Sequence, residues 1–103
     1  MKKLSSILVI ILLLSNLVRG QNIKSYNLHF GDTVSVIDDN DLKQGRWVYL
    51  GQDKIESWFK DYKPNQIVEE GYYKDNKKTG IWIRYHTNGK IQSELKYIND
   101  TID

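Results

Sequence analysis

The sequence predicts an all-β protein, a short antiparallel meander of repeat hairpins forming an elongated open sheet, preceded by a helical signal peptide. Three observations predict it. Between Lys90 and Tyr97 polar and apolar residues alternate, with Ile91, Ser93, Leu95 and Tyr97 facing one way and Lys90, Gln92, Glu94 and Lys96 the other. That is the period of a half-buried strand. Turn signals punctuate the runs from Gly71 to Ile91, above all Asn88-Gly89, which suits a two-residue hairpin because both central residues then need positive φ. Finally, parts of this stretch recur elsewhere in the chain, so it reads as one unit of an array.

Residues 1–20 read as a secretory signal peptide. Lys2 and Lys3 precede an apolar run from Leu4 to Val18, and Val18 and Gly20 occupy the small-residue positions before Gln21. The run is shorter than the roughly 20 residues of a membrane-spanning helix. An uncleaved anchor is the alternative, and Arg19 fits a cleavage site poorly. With no Cys, a lipid-modified cysteine and disulfide staples are both excluded. The expected address is the periplasm, the envelope surface or the medium, and the protein is not a lipoprotein.

Removing the signal takes Lys2, Lys3 and Arg19 with it, so the formal charge passes from +2 to −1. The basic pI of about 8.8 thus belongs largely to the export signal. No footprint for nucleic acid survives. All three Trp, all seven Tyr and both Phe follow the signal, so aromatic packing must supply a core that is small for a chain without disulfides.

Residues 21–40 form an N-terminal extension with two short β-prone runs, Tyr26 to Phe30 and Thr33 to Ile37, split by Gly31-Asp32. Asp38-Asp39-Asn40-Asp41 then reads as a turn, because these side chains bond locally to backbone. A calcium loop fails on spacing, since the sixth residue from Asp39 is Gln44 and no Glu stands at the twelfth.

Residues 41–103 carry the repeats. Lys43-Gln44-Gly45-Arg46-Trp47-Val48 matches Lys78-Thr79-Gly80-Ile81-Trp82-Ile83 in a Lys-x-Gly-x-Trp frame, at an offset of 35. Trp58, Ile67, Glu70 and Tyr73 match Trp82, Ile91, Glu94 and Tyr97 at an offset of 24. The two offsets disagree. A longer or irregular connection is therefore expected near Gly51-Gln52-Asp53 or Asp61 to Asn65. In the central strand, Ile81, Ile83 and Tyr85 share one side and Trp82, Arg84 and His86 the other, so Arg84 can lay its stem along a ring.

The pattern Glu70-Gly71-x-Tyr73-x-Asp75-Asn76-x-Lys78-x-Gly80-x-Trp82-x-x-Tyr85-x-x-Asn88-Gly89-Lys90-Ile91, then Glu94 and Tyr97, resembles the second variant of the MORN repeat, a YwqK-like family sometimes labelled antitoxin. The best unit spans residues 67–100. Gly45, Trp47 and Tyr49 stand as in an earlier unit, with Leu50-Gly51 where Tyr85-His86 would be, and residues 52–66 depart further. The resemblance implies a stacked antiparallel sheet acting through protein or membrane-surface contacts, and it implies no reaction. The repeat positions it marks are Gly45, Trp47, Gly71, Tyr73, Gly80, Trp82, Tyr85, Asn88, Gly89 and Tyr97. Arrays of this kind need about three units for a continuous core. The strand ending near Tyr97 is then expected to be an uncovered edge, open to self-association or to a partner's strand.

Chemistry has few carriers here. No nucleophile motif is present, and His29 and His86 are the only histidines. Glu69 and Glu70 fall on opposite faces of a strand, and the match of Glu70 to Glu94 is a repeat position, so a carboxylate pair for glycoside hydrolysis is not expected. Asn99-Asp100-Thr101 matches a glycosylation sequon at chance-level spacing. Trp58, Trp82, Arg84 and Tyr85 make up the candidate interaction surface, because a thin sheet cannot bury every ring. The expected function is an exported, non-catalytic interaction module. It takes no cofactor, metal or small-molecule substrate, and its rivals are an immunity or antitoxin-like protein, a fragment of a longer array and, least of all, an enzyme.

Overall fold

Seven strands follow one another through residues 22–103, the part of the chain that the computed structural model describes. They are β1 (Ile23–His29), β2 (Asp32–Asp38), β3 (Lys43–Leu50), β4 (Ile67–Lys74), β5 (Lys77–Tyr85), β6 (Ile91–Ile98) and β7 (Thr101–Ile102). Each pairs antiparallel with its sequence neighbour, giving an open meander in the order β1 to β7. The two β-prone runs of residues 21–40 are strands of this sheet, joined to β3 through only two residue pairs, Val36 with Gln44 and Ile37 with Lys43. The signal peptide expected over residues 1–20 lies outside the described residues.

The hairpins use two turn chemistries. Phe30-Gly31, Asp75-Asn76 and Asn99-Asp100 each place both central residues at positive φ, from 48° to 84°, and join strands with the two-residue turn whose twist matches a sheet. The Asn88-Gly89 hairpin is different, and the expected two-residue turn there is corrected. His86 N–H donates to the Lys90 carbonyl at 2.7 Å and Gly89 N–H to the His86 carbonyl at 2.9 Å, enclosing three residues, of which only Gly89 has positive φ. The Asn88 side chain explains this: its Oδ1 accepts the Lys90 N–H at 2.9 Å, a local bond that holds Asn88 out of the left-handed region. The β2–β3 loop repeats the arrangement, with Asp41 at φ 63° and Asp41 N–H bonded to the Asp38 carbonyl at 3.0 Å. Asp38 itself is fully buried, and its carboxylate accepts from Asn40 N–H, Leu42 N–H and the Gln44 amide.

One tie recurs along the edge where β3 and β5 begin. Asp39 N–H donates to the Asn22 carbonyl, Asn76 N–H to that of Lys43, and Asp100 N–H to that of Lys78, at 2.9 to 3.0 Å. Each turn thus satisfies a carbonyl at the start of the strand two positions back. Lys43 and Lys78 are the paired lysines of the repeat frame.

The indoles build the core. Trp47 Nε1–H donates to the Val36 carbonyl at 3.2 Å, and Trp82 Nε1–H to the Tyr72 carbonyl at 3.0 Å, so each ring leans onto the preceding strand and loses no hydrogen bond on burial. Val34, Val36, Val48, Phe59 and Val68 complete the buried apolar set. Gly45 and Gly80 both sit at φ 71°, where a side chain would be strained, opposite Tyr73 and Tyr97 respectively. Gly71 has a different reason to be glycine. A Cβ there would lie 2.1 Å from Cδ2 of the Trp82 ring.

Two expectations about β6 need correction. The Tyr97 end is covered, since β7 pairs Ile102 with Tyr97 and Thr101 with Ile98, because Asn99-Asp100 turns the chain straight back. Among the described residues the part of β6 left unpaired on its outer side is instead Ile91 to Leu95, while β1 forms the opposite edge of the sheet. The half-buried face is also only thinly covered: Ile91 is 52 % and Leu95 38 % exposed, because no further strand of the described residues packs its rings over them.

Candidate functional site

The Lys-x-Gly-x-Trp frame aligns its three residues on one face of a strand, because side chains alternate. The glycine in the middle takes a positive φ, and a tyrosine pairs opposite it across the ladder. The result is the same cluster built twice. Lys43 Nζ stands 5.2 Å from the Trp47 ring centroid and 5.0 Å from that of Tyr73. Lys78 Nζ stands 4.5 Å from the Trp82 ring and 5.1 Å from that of Tyr97. Lys43 lies against the π-density of three rings, Tyr49 being the third at 5.9 Å, and Lys78 against that of two, a favourable placement for a cation.

Between the clusters, β4 contributes Glu69 and β5 contributes Arg84. Glu69 Oε2 accepts from Arg84 Nε at 3.1 Å and from Nη2 at 2.9 Å, while Oε1 takes Lys78 Nζ at 3.4 Å. The connection between β3 and β4 then folds over this floor. It is stitched shut at its base, Gly51 N–H to the Gln66 carbonyl at 3.0 Å and Gln52 N–H to the Pro64 carbonyl at 2.9 Å, and contains two short 3-10 turns, Gly51–Asp53 and Ser57–Asp61. The irregular connection expected from the conflicting offsets is this segment. Phe59 is its buried anchor, and the Tyr62 hydroxyl ties it to β5 through the Tyr85 carbonyl at 2.7 Å. Trp58 lies over Arg84, with 5.0 Å from ring centroid to guanidinium carbon.

Roof and floor enclose a cleft of about 310 Å³, lined among others by Lys43, Tyr49, Trp58, Glu69, Lys78 and Arg84. The Tyr49 and Tyr73 hydroxyls lie 3.0 Å apart. Burial, reinforced by that hydrogen bond, pushes the Tyr49 phenol far above its ordinary range and keeps it neutral. The cleft therefore offers positive charge held beside rings, with one carboxylate already engaged.

The opposite face holds a second polar group. Glu70 accepts from Arg46 Nη2 at 2.8 Å and from the Tyr85 hydroxyl at 2.5 Å. Burial pushes the Glu70 carboxyl up, but the bonds from Tyr85 and Arg46 together outweigh it and set it below the ordinary carboxylate value. Burial first, and then the bond to Glu70, push the Tyr85 phenol up to about 12. The signs are opposite in consequence. Stability from Glu70 is complete above its ordinary value and is lost as pH falls through its lowered folded value, whereas stability from Tyr85 is complete below 10.0 and is lost as pH rises toward about 12. Tyr85→Phe is expected to flatten the alkaline limb of a plot of urea midpoint against pH between those two values. An unchanged alkaline limb would contradict the bond to Glu70.

The candidate interaction residues do not form one surface. Trp58 and Arg84 meet in the cleft, Trp82 is buried beneath it at 3 % exposure, and Tyr85 points to the far face. The repeat residues Gly45, Trp47, Tyr73, Gly80, Trp82 and Tyr97 converge around the two lysines, with Gly71 directly under Trp82. Asn88 and Gly89 lie apart, in the β5–β6 turn. Lys43, Lys78 and Glu69 were not singled out from sequence as site residues. The signal for the lysines was present in the frame, where period 2 places Lys on the same face as its Trp, whereas the partnership of Glu69 with Arg84 depends on strand register. Glu69 and Glu70 do face opposite ways. Among the described residues no three His, Cys, Asp or Glu side chains group to hold a metal. No helix among them is long and apolar enough to cross a membrane. No family model, curated protein or solved structure matches the chain.

Proposed function

We propose that this protein is an exported interaction module without catalytic activity, contacting a protein or envelope component through the cleft roofed by residues 51–66. The observation that carries this is the roof itself. A connection this long with no strand or α-helix of its own is uncommon in a small domain and is usually functional, and this one carries two 3-10 turns, is closed at its base and is anchored by Phe59. Support also comes from the chemistry beneath it: Glu69 is engaged by Lys78 and Arg84, and the Tyr49 hydroxyl is held neutral, so the residues are arranged for charge and ring contacts. Export rests on the pattern of residues 1–20, and the interaction role is what the resemblance to MORN-type repeats implies. Capping of a toxin by an antitoxin-like protein is one form of the same role.

Cross-linking in the envelope fraction, followed by pull-down and mapping of the cross-linked residues, tests it. Cross-links from Lys54 or Lys60, both exposed on the roof, are expected to a partner that Trp58→Ala recovers several-fold less well. A partner recovered equally by the Trp58→Ala variant, or cross-links confined to the far face, would reject the cleft as the contact surface. Light scattering over a range of concentrations separates this from self-association along β6, the alternative route to contact for a sheet with an unpaired edge.

A further inference from the structure

We propose that the cleft is a carboxylate-recognition site that receives an acidic side chain from a polypeptide segment of the partner; this rests on the interaction role given above. Three cations, Lys43, Lys78 and Arg84, line it with Glu69 set between the last two. Lys43 is different from the other two. Its ammonium group donates to the Tyr49 hydroxyl at 3.3 Å and rests against rings, and among the described residues no carboxylate lies within ion-pair distance of it. Lys43 is half-buried as a residue, and an ammonium group supported by ring faces and one hydroxyl keeps donor capacity for an anion.

The ring geometry selects among anions. A sugar recognised by stacking needs free aromatic faces, but Lys43 rests against Trp47 and Tyr73, Lys78 against Trp82 and Tyr97, and Arg84 against Trp58. Stacking would displace those cations, whereas a carboxylate uses them where they stand. The rim suits an extended peptide on either side of the acid, with Ile55 59 % exposed beside the cleft. Glu56 is exposed at the same rim and opposes a second negative charge close by. The acid is therefore expected to be recognised singly, flanked by apolar residues.

Binding of a short fluorescent peptide with one central Glu between apolar residues, followed by anisotropy with the purified full chain, tests the assignment. The Gln version of that peptide and a free uronic acid serve as comparisons. The Glu peptide is expected to bind about tenfold or more tightly than its Gln version, the effect of one charge-assisted hydrogen bond. Lys43→Met, which keeps the apolar stem, is expected to remove that preference. Glu69→Gln is expected to tighten the peptide, because it releases Lys78 and Arg84 from their internal competitor. A merely structural role for Glu69 would weaken binding instead, so the direction of this change decides the matter even if Lys43→Met fails to fold. Equal affinity for the Glu and Gln peptides, or tighter binding of the uronic acid, overturns the proposal. A partner cross-linked to the roof while the Glu peptide shows no preference leaves the interaction role standing and removes the carboxylate assignment alone.

Discussion

Trp82→Ala is expected to leave the protein at or beyond the limit of folding at 25 °C. The ring is 3 % exposed, meets Tyr73 edge-on with centroids 4.9 Å apart, and lies 6.4 Å from Tyr49 by the same measure. It also supplies the donor for the Tyr72 carbonyl and the ring beneath Lys78. Truncating a buried Trp or Phe to Ala costs about 3–5 kcal/mol through lost transfer free energy and the cavity left behind. Removing the indole N–H adds the cost of an orphaned carbonyl, about 1 kcal/mol or more. Domains have only about 5–15 kcal/mol of stability in total, and a sheet this thin belongs near the lower end. Urea unfolding followed by far-UV circular dichroism checks this, with Trp58→Ala as the comparison because Trp58 is only half-buried. A Trp82 variant as stable as the Trp58 variant would mean that the core lies elsewhere.

Gly71→Ala is expected to destabilise by an amount unusual for adding one methyl group. The new Cβ would meet Cδ2, Cε2 and Cγ of Trp82 at 2.1, 2.3 and 2.5 Å. The ring cannot retreat without breaking its bond to the Tyr72 carbonyl and its contact with Tyr73. Overpacking of this kind costs about 1–3 kcal/mol and sometimes more. For a domain of this size each kcal/mol corresponds to roughly 4–8 °C in melting temperature. The cause is checked by coupling. In a Trp82→Leu background the obstructing ring is gone, so Gly71→Ala is expected to cost far less there, and additive effects of the two changes would refute the steric account.

The strands were legible because their signals are local. The Lys-x-Gly-x-Trp frames placed β3 and β5 and the alternation from Lys90 to Tyr97 placed β6, while Gly31-Asp32 placed the break between β1 and β2 one residue late, since the turn is Phe30-Gly31 and Asp32 opens β2. Turn type was less legible. Asn88-Gly89 is the pair most suited to a two-residue turn, yet Asn88 bonds forward to Lys90, while Phe30 adopts positive φ with no side-chain preference to announce it. The all-β meander was legible as a class, but the cleft was not, since its floor joins Glu69 to Arg84 by register and its roof comes from residues that match no repeat. The pairing of Lys43 with Tyr73 is intermediate: both belong to recognised frames, but their meeting depends on Gly45 opposite Tyr73.

Position 71 also bears on how the sheet can grow. Gly71 pairs with Trp47 across one side and gives up its own volume to the indole arriving from the other. Leu95 pairs with Trp82 in the same way, but it carries a side chain where Gly71 carries none. An indole approaching β6 as Trp82 approaches β4 would meet that side chain. The two flanks of the sheet thus differ, because the notch that admits Trp82 on β4 is not repeated on β6. Leu95→Gly would remove the side chain that stands in that place on the exposed flank of β6.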